Sequence, residues 1–292
     1  MKSLSILSPA KINLCLRVLD RKKNGYHNIL SIFQTISLYD KITVKLLKEN
    51  KIVIKSNVKS LQNKKNLCYK VAELIKKKYK VRNGVEINLK KNIPLGSGLG
   101  GASSNAMSVL LGLVKLWNIK IKKEEIISLS SKIGKDLPFF YYKGCCLVSG
   151  MGEKVEAVKP WWRKRGLWFV LIYPNKKLMT RDVYSKFDEI SNNQCGKKVS
   201  YSMLKKLIRK KCFFKELIFN DLYTAAVNLF PKLEFIKNKI LQSISDKKLV
   251  NMSGSGSTLY TVFFSYKDAS KFVKILKHNL SGSRVELVRT IF

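Results

Sequence analysis

The stretch PLGSGLGGASSNA, residues 94–106, decides the fold of this chain. Four of its residues are glycines: Gly96, Gly98, Gly100 and Gly101. An alternating apolar pattern at 85–89 precedes the stretch and a helical apolar spacing at 102–117 follows it, so the glycines predict a turn from strand to helix. Glycine lets the backbone approach a ligand closely, and a helix start offers free N–H groups to an anion. The stretch therefore predicts a phosphate-binding loop.

The spacing around this loop separates it from other phosphate-binding motifs. A dinucleotide fold needs an acidic residue at the end of a strand about 20 residues further on, whereas Glu124 and Glu125 open a predicted helix. No lysine follows the glycines, as the P-loop pattern requires. The H-R-D and D-F-G sequences of protein kinases are also absent from the chain.

The remaining chain predicts a mixed α and β protein. Strands are predicted at 6–18, 32–38, 41–47, 52–54, 85–89, 167–173, 259–264 and 284–291, and helices at 67–79, 102–117, 123–133, 201–211, 220–239 and 269–278. The stretch after 173 is predicted to be a loop up to the helix at 201. A break in the pattern at 160–166 predicts two domains, 1–160 and 161–292.

The high positive charge of the chain has two interpretations. The chain has 57 Lys and Arg against 19 Asp and Glu, a formal net charge of +38. The lysines are spread along the whole chain, which favours solvated helix faces or a compositional bias; binding to a polyanion is the alternative. A hydrophobic share of 46% argues against disorder, and no apolar run is long enough for a membrane span.

The cysteines indicate the compartment rather than a metal site. Six cysteines form no C-x-x-C pair and only two histidines accompany them, so a zinc site is not predicted. A reducing cytoplasm is the simplest compartment for such a chain.

Three motifs together resemble the GHMP kinase superfamily. They are PAKINL at 9–14, the glycine stretch at 94–106 and MSGSGS at 252–257, in that order. The resemblance implies an α+β fold of two domains, an N-terminal ATP-binding domain and a C-terminal ferredoxin-like α/β sandwich. It also implies ATP as the phosphoryl donor, with Mg²⁺ bound to the nucleotide.

Further motifs resemble one branch of that superfamily. They are NGYH at 24–27, NL at 66–67, GKDLPFF at 134–140 and NDL at 220–222. This branch phosphorylates a cytidine diphosphate-linked polyol in the non-mevalonate route to isoprenoids. Mevalonate and homoserine kinases share the glycine motif but lack the Gly-Tyr-His signature. The chain departs from the branch at Lys135, often Ala, and at Ala102, often Gly.

The resemblance also implies roles for individual residues. Lys11 and Asp136 match the catalytic pair, with Asp136 accepting the proton of the substrate hydroxyl. The implied ATP-binding residues are Asn66, Pro94, Leu95, Gly96, Ser97, Gly98, Leu99, Gly100, Gly101, Ala102, Ser103 and Ser104. The implied substrate-binding residues are Asn13, Tyr26, His27, Tyr184, Gly254 and Ser255. Tyr26 and Tyr184 would stack on the base, and Ser104 is the candidate for contacting Mg²⁺.

Two alternative functions follow from the same sequence. The first is a related small-molecule kinase acting on mevalonate or homoserine, against which the Gly-Tyr-His signature argues. The second is a basic nucleic-acid-binding protein, which would leave Lys11 and Asp136 without a purpose. We expect ATP and a small polyol substrate as partners, with no specific nucleic acid and no membrane, in a monomer or homodimer.

Overall fold

The computed structural model describes residues 2–191, 199–244 and 249–292. Within those ranges the chain forms β1 (Ser3–Arg21), β2 (His27–Leu47), β3 (Ile52–Ser56), α1 (Leu67–Lys78), β4 (Gly84–Lys90), α2 (Gly101–Leu116), α3 (Lys123–Ile133), α4 (Leu137–Tyr142), β5 (Cys145–Ser149), β6 (Lys154–Ala157), β7 (Trp168–Tyr173), α5 (Thr180–Ile190), α6 (Tyr201–Arg209), β8 (Phe219–Asn220), α7 (Tyr223–Leu229), α8 (Lys232–Gln242), β9 (Val250–Met252), β10 (Leu259–Phe263), α9 (Tyr266–Asn279) and β11 (Arg284–Arg289). The predicted mixture of helices and strands is confirmed.

The chain divides into two compact units made of interleaved segments. Unit 1 comprises Met1–Ala10, Leu38–Ile93 and Gly100–Tyr142, and unit 2 comprises Lys11–Ser37, Pro94–Leu99 and Lys143–Phe292. Strands β1 and β2 each contribute residues to both units. The predicted domain boundary at residue 160 stays a prediction.

Unit 1 packs helices on a sheet. Strand β4 runs antiparallel to the second half of β2, with Val44 opposite Ile87, and parallel to β3. The apolar faces of the helices are buried in this unit, as shown by Ile75 of α1 and Val109 of α2, which are both 0% exposed. Burial of such side chains is the main source of stability. It stabilises β4 and α2, the strand and the helix predicted on either side of the glycines.

Unit 2 contains a four-stranded antiparallel sheet in the order β11-β7-β10-β9. Helices α5, α7, α8 and α9 contribute to its apolar core, which includes Val170 and Leu259 of the sheet and Phe272 of α9. Elsewhere in the unit, β5 pairs with the first half of β2 and with β6. The two-residue strand β8 runs parallel to β1, with Phe219 opposite Cys15.

Two local predictions are wrong and one local element was not predicted. Residues 180–190 form the helix α5 rather than a loop, because Val183 is buried and Phe187 packs against the same core. The hairpin of β5 and β6 was not predicted, since its strands are short and its turn holds Gly150 at φ +68°. The single helix predicted over 220–239 is two helices, divided where Pro231 has no N–H to continue the first.

Two further observations concern the chain as a whole. No helix in the described ranges combines the length and apolar character that a membrane span requires. Cys15, Cys68, Cys145 and Cys146 are buried free thiols, whereas Cys195 lies outside the described residues.

Candidate active site

The first half of the glycine loop, residues 94–99, lies in unit 2 against the turn at 253–258. Gly98 adopts φ +77°, and a Cβ there would lie 1.9 Å from the carbonyl oxygen of Ser253. Ser253 Oγ donates to the Gly98 carbonyl at 3.0 Å, and the Thr258 N–H donates to the Ser97 carbonyl at 3.2 Å. The loop therefore requires glycine at 98, and the third motif, at 252–257, packs against it.

The second half of the loop begins helix α2 in unit 1. Gly100 precedes the helix in the left-handed region at φ +69° and offers no side-chain cap to the first turn. Uncapped N–H groups at the start of a helix are suited to binding a phosphate. Ser103 is partly exposed, but Ser104 is fully buried and its hydroxyl bonds to Ser8 Oγ at 2.7 Å. The Mg²⁺ candidate Ser104 thus has its hydroxyl engaged inside unit 1.

Lys11 belongs to a buried polar cluster in unit 2. Lys11 is 3% exposed, and its Nζ donates to Asn13 Oδ1 at 2.6 Å. The same Nζ lies 4.2 Å from the centre of the Phe33 ring. Asn13 Nδ2 in turn donates to Ser31 Oγ at 3.0 Å. A buried ammonium needs such partners because removal from water is costly. Lys11 thus has a hydrogen-bond partner within its own unit.

Asp136 lies in unit 1, in the turn between α3 and α4. It is partly buried, and it directly precedes Leu137, the first residue of α4. The GKDLPFF motif therefore forms the end of one helix and the start of another. The proximity of Asp136 to the start of α4 is compatible with a carboxylate, since negative charge is favoured at a helix N-terminus.

A second cluster in unit 2 surrounds His27. The residue is 8% exposed, its ring stacks on Tyr184 with centroids 5.4 Å apart, and the edge of Phe187 lies 6.2 Å away. Asp188 Oδ1 is 2.8 Å from His27 Nε2. Tyr26, in contrast, is 57% exposed. The structure therefore brings His27 and Tyr184 together and leaves Tyr26 on the surface.

Sequence reasoning did not find Asp188, although a signal for it exists. It follows Tyr184 by four residues in α5, and residues at that spacing lie on the same face of a helix. The signal was lost because 180–190 was interpreted as a loop. Ser255, on another predicted binding position, is 8% exposed and its Oγ lies 3.0 Å from Thr180 Oγ at the start of α5.

The remaining predicted positions have structural roles of their own. Asn66 caps α1, with Oδ1 accepting from the Cys68 N–H at 2.9 Å. In the NDL motif, Asn220 Nδ2 donates to the carbonyls of Met252 and Gly254, both at 2.8 Å. This motif therefore anchors the turn that supports the glycine loop.

Asp221, the next residue of the NDL motif, connects that region to β1. Burial raises the pKa of this carboxyl, while the Val18 N–H and the Arg17 guanidinium act in the opposite direction. The Arg17 Nη1 lies 3.0 Å from Asp221 Oδ1. The pair ties β1, which carries Lys11, to the segment that holds the turn.

Each part of the glycine loop has features suited to phosphate. In unit 2, Gly96 and Gly98 have positive φ angles. In unit 1, Gly100 also has a positive φ angle and precedes the uncapped start of α2. The described ranges contain no group of three or more His, Cys, Asp or Glu side chains able to hold a metal.

Known proteins resemble this chain in sequence and in fold. The sequence profile for the GHMP kinases N terminal domain matches residues 66–144. A solved 4-(cytidine 5'-diphospho)-2C-methyl-D-erythritol kinase has 26% identity and a TM-score of 0.79, covering 98% of this chain and 99% of its own. A mevalonate kinase from Methanococcus jannaschii shares the fold, with 18% identity and a TM-score of 0.73 over 100% of this chain and 99% of its own.

The fold and the glycine loop thus define a GHMP kinase, an enzyme that uses ATP. Curated relatives narrow the class. A 4-diphosphocytidyl-2-C-methyl-D-erythritol kinase from Macrococcus caseolyticus is 33% identical over 277 residues, which is 92% of this chain and 94% of that protein. One from Syntrophotalea carbinolica is 34% identical over 264 residues, 89% of each chain. The chain belongs to the 4-diphosphocytidyl-2-C-methyl-D-erythritol kinase family.

Proposed function

We propose that this kinase transfers the γ-phosphoryl group of ATP to the 2-hydroxyl of 4-diphosphocytidyl-2-C-methyl-D-erythritol, in the non-mevalonate route to isopentenyl diphosphate. The assignment of the acceptor rests on the cluster of His27, Tyr184 and Asp188, in which the His27 ring is buried. Aromatic faces and fixed hydrogen-bonding groups are the means by which proteins recognise a nucleobase. Mevalonate and homoserine carry no base for such a cluster to recognise.

The chemistry requires positioning and charge stabilisation more than covalent catalysis. The substrate hydroxyl oxygen forms a bond to the γ-phosphorus, the bond from that phosphorus to the bridging oxygen breaks, and ADP leaves. We assign Asp136 as the group that accepts the hydroxyl proton. Lys11 offsets negative charge on the phosphoryl group being transferred, and the N–H groups at the start of α2 hold phosphate oxygens.

The substrate-binding residues complete the proposal. Tyr26 and Tyr184 offer aromatic faces to the cytosine, His27 offers a hydrogen-bonding group, and Asn13 contacts the methylerythritol portion. Gly254 and Ser255 line the turn beside Asn13, since a Cβ on Gly254 would lie 3.2 Å from Asn13 Oδ1. Asn66 contacts the adenine.

Three finer points belong to the same proposal. Mg²⁺ enters with ATP and supplies charge neutralisation on the phosphates. The protein acts in the cytoplasm, which the free thiols of Cys15, Cys68, Cys145 and Cys146 support because such thiols persist in reducing compartments. The enzyme acts as a monomer or homodimer without a specific nucleic acid or membrane.

An ADP-release assay over the cytidyl substrate, mevalonate and homoserine tests the acceptor. We expect turnover with the cytidyl substrate, and turnover only with mevalonate or homoserine would overturn the proposal. Asp136→Asn should lower kcat by roughly 10² or more because the base is lost. The matched control is Glu73→Gln, an exposed acid on α1 in the same unit, which should leave kcat unchanged. A near-normal rate in Asp136→Asn would remove Asp136 from this role.

A further inference from the structure

A buried polar network in unit 1 joins the chain on the two sides of the glycine loop. Its side chains are those of Ser8, Asp40, Lys91, Ser104 and Asn105, and we call it the Asp40 network. Four of its members are at most 2% exposed, and the Lys91 side chain is 4% exposed. A charged network this deeply buried is costly to desolvate. Packing alone therefore does not account for its presence.

The Asp40 carboxylate receives its hydrogen bonds from both sides of the loop. Oδ1 accepts from the backbone N–H groups of Asn92 at 2.6 Å and Ile93 at 2.8 Å. Oδ2 accepts from Lys91 Nζ and from Asn105 Nδ2, the latter at 2.9 Å. The backbone donors directly precede the loop, whereas Asn105 lies in α2 after it. One carboxylate therefore fixes both ends of the loop.

Lys91 and Asn105 complete the connection. Lys91 Nζ also donates to Asn105 Oδ1 at 2.8 Å, so both ends of the Asn105 amide are bound. Asn105 Nδ2 additionally donates to Ser8 Oγ at 3.0 Å, and Ser8 Oγ bonds to Ser104 Oγ at 2.7 Å. These bonds fix the rotation of the first turns of α2 about the helix axis.

The first residue of α2 packs directly on this network. A Cβ on Gly101 would lie 3.0 Å from Ile93 Cγ2 and 3.3 Å from Lys91 Nζ. The N-terminal N–H groups of α2 are thus held at a set distance from the Lys91 ammonium and the strand before the loop. A small rotation of the helix would move those donors away from a bound phosphate.

We propose that Asp40 and Lys91 are positioning residues for the phosphates of ATP, acting through Asn105 on the N-terminus of α2. The inference rests on the proposed use of the glycine loop for ATP but is independent of the acceptor's identity. A buried ion pair contributes little net stability compared with apolar residues of the same size, so its presence here favours a positioning role over a stabilising one.

Three variants separate positioning from folding. Lys91→Met removes the ammonium and leaves the Asp40 carboxylate buried without its counter-charge, so we expect a lower melting temperature and weaker ATP binding. Asp40→Asn with Lys91→Met removes the whole ion pair, so no buried charge is left uncompensated. Asn105→Ala keeps the ion pair and removes only the link to α2.

The measurements are the melting temperature, the Kd for Mg-ATP by calorimetry without acceptor, and both KM values. The double variant should regain the melting temperature lost in Lys91→Met, yet still bind ATP about tenfold or more weakly, as the loss of a charge-assisted hydrogen bond predicts. Asn105→Ala should weaken ATP binding with the KM for the acceptor unchanged. The control is Glu86→Gln, which breaks the partly exposed Lys55–Glu86 pair of the same unit and should change none of these quantities.

The ATP-binding measurements test the positioning proposal independently of the acceptor. Wild-type ATP affinity in the double variant at a restored melting temperature would overturn the proposal, and so would unchanged ATP affinity in Asn105→Ala. Failure of the proposed acceptor would appear only in the turnover assay, because ATP binding is measured here with no acceptor present.

Discussion

The imidazole of His27 and the phenol ring of Tyr184 are stacked, with ring centroids 5.4 Å apart and planes inclined by 22°. One turn further along α5, the Asp188 carboxylate lies 2.8 Å from His27 Nε2. Helix α5 thus holds His27 from two directions, through ring contact and through a hydrogen bond. In an imidazole ring that carries a single proton, this hydrogen bond places the proton on Nε2 and leaves Nδ1 as an acceptor. Under the proposed function, Nδ1 accepts a hydrogen bond from the cytosine.

Removing the ring of Tyr184 should weaken acceptor binding selectively. Tyr184→Ala takes away an aromatic face, and stacking on a base is worth about 1–3 kcal/mol, so the KM for the cytidyl substrate should rise about tenfold while the KM for ATP stays constant. Steady-state kinetics with each substrate varied in turn measures both values. Tyr266→Ala, at a residue 57% exposed on α9, is the control. Equal increases in both KM values would point instead to a disturbed fold of unit 2.

Asp188 should determine how well the enzyme distinguishes cytosine from uracil. Asp188→Asn keeps the size of the side chain but removes the carboxylate that favours a proton on His27 Nε2. His27 Nδ1 is then less often the acceptor for the exocyclic amine of cytosine. Calorimetric titration with CDP and UDP should show a preference for CDP in the wild type that falls about threefold or more in the variant. Glu189→Gln, at the neighbouring exposed residue of the same helix, should leave the preference intact. An unchanged ratio in Asp188→Asn would refute this role.

The sequence was most informative where local chemistry dictates conformation. The four glycines predicted a turn that side chains would obstruct, and Gly96, Gly98 and Gly100 do adopt positive φ. An ammonium buried in the apolar strand around Lys11 is costly without a partner, and the structure provides Asn13. Both cases depend on residues close together in the chain, where steric and desolvation costs can be judged without knowing the fold.

Contacts between distant segments could not be predicted in the same way. Asp40 and Lys91 are 51 residues apart in the chain, and nothing near either residue indicates that a carboxylate and an ammonium meet inside unit 1. Helix α5 was missed because Val183 is its one fully buried residue among the charged and half-exposed side chains of 180–190. Its helical form depends on packing against the core of unit 2, and Asp188 was missed with it.

Gly98 should be much less tolerant of substitution than a glycine with the same backbone angle elsewhere. In Gly98→Ala the new Cβ would lie 1.9 Å from the Ser253 carbonyl oxygen at φ +77°, whereas Gly282 has φ +86° and nothing within 4 Å of its Cβ position. Gly282→Ala should cost only about 1 kcal/mol of backbone strain. Gly98→Ala should cost about 3 kcal/mol or more, since backbone must move as well.

Thermal unfolding and the ADP-release assay measure the two glycine variants side by side. We expect Gly98→Ala to lower the melting temperature more than Gly282→Ala and to reduce turnover, because the glycine loop must shift away from the turn at 253–258. Gly282→Ala should retain full turnover. If both variants lose the same stability, the close approach of Gly98 to Ser253 is not a constraint on the folded protein.

The buried thiols should make the protein less stable in alkali. Burial raises the pKa of Cys15 to about 12 from an ordinary value of 9.0. A group whose pKa is higher in the folded state stabilises fully below pH 9 and loses that contribution as the pH rises from 9 towards 12. At pH 10 the loss amounts to about 1 kcal/mol for this thiol. Urea unfolding at pH 8 and pH 10 should therefore show the free-energy advantage of the wild type over Cys15→Ala shrinking by about that amount. A constant difference between the two proteins across this range would show that the Cys15 thiol ionises as readily in the folded chain as in the unfolded one.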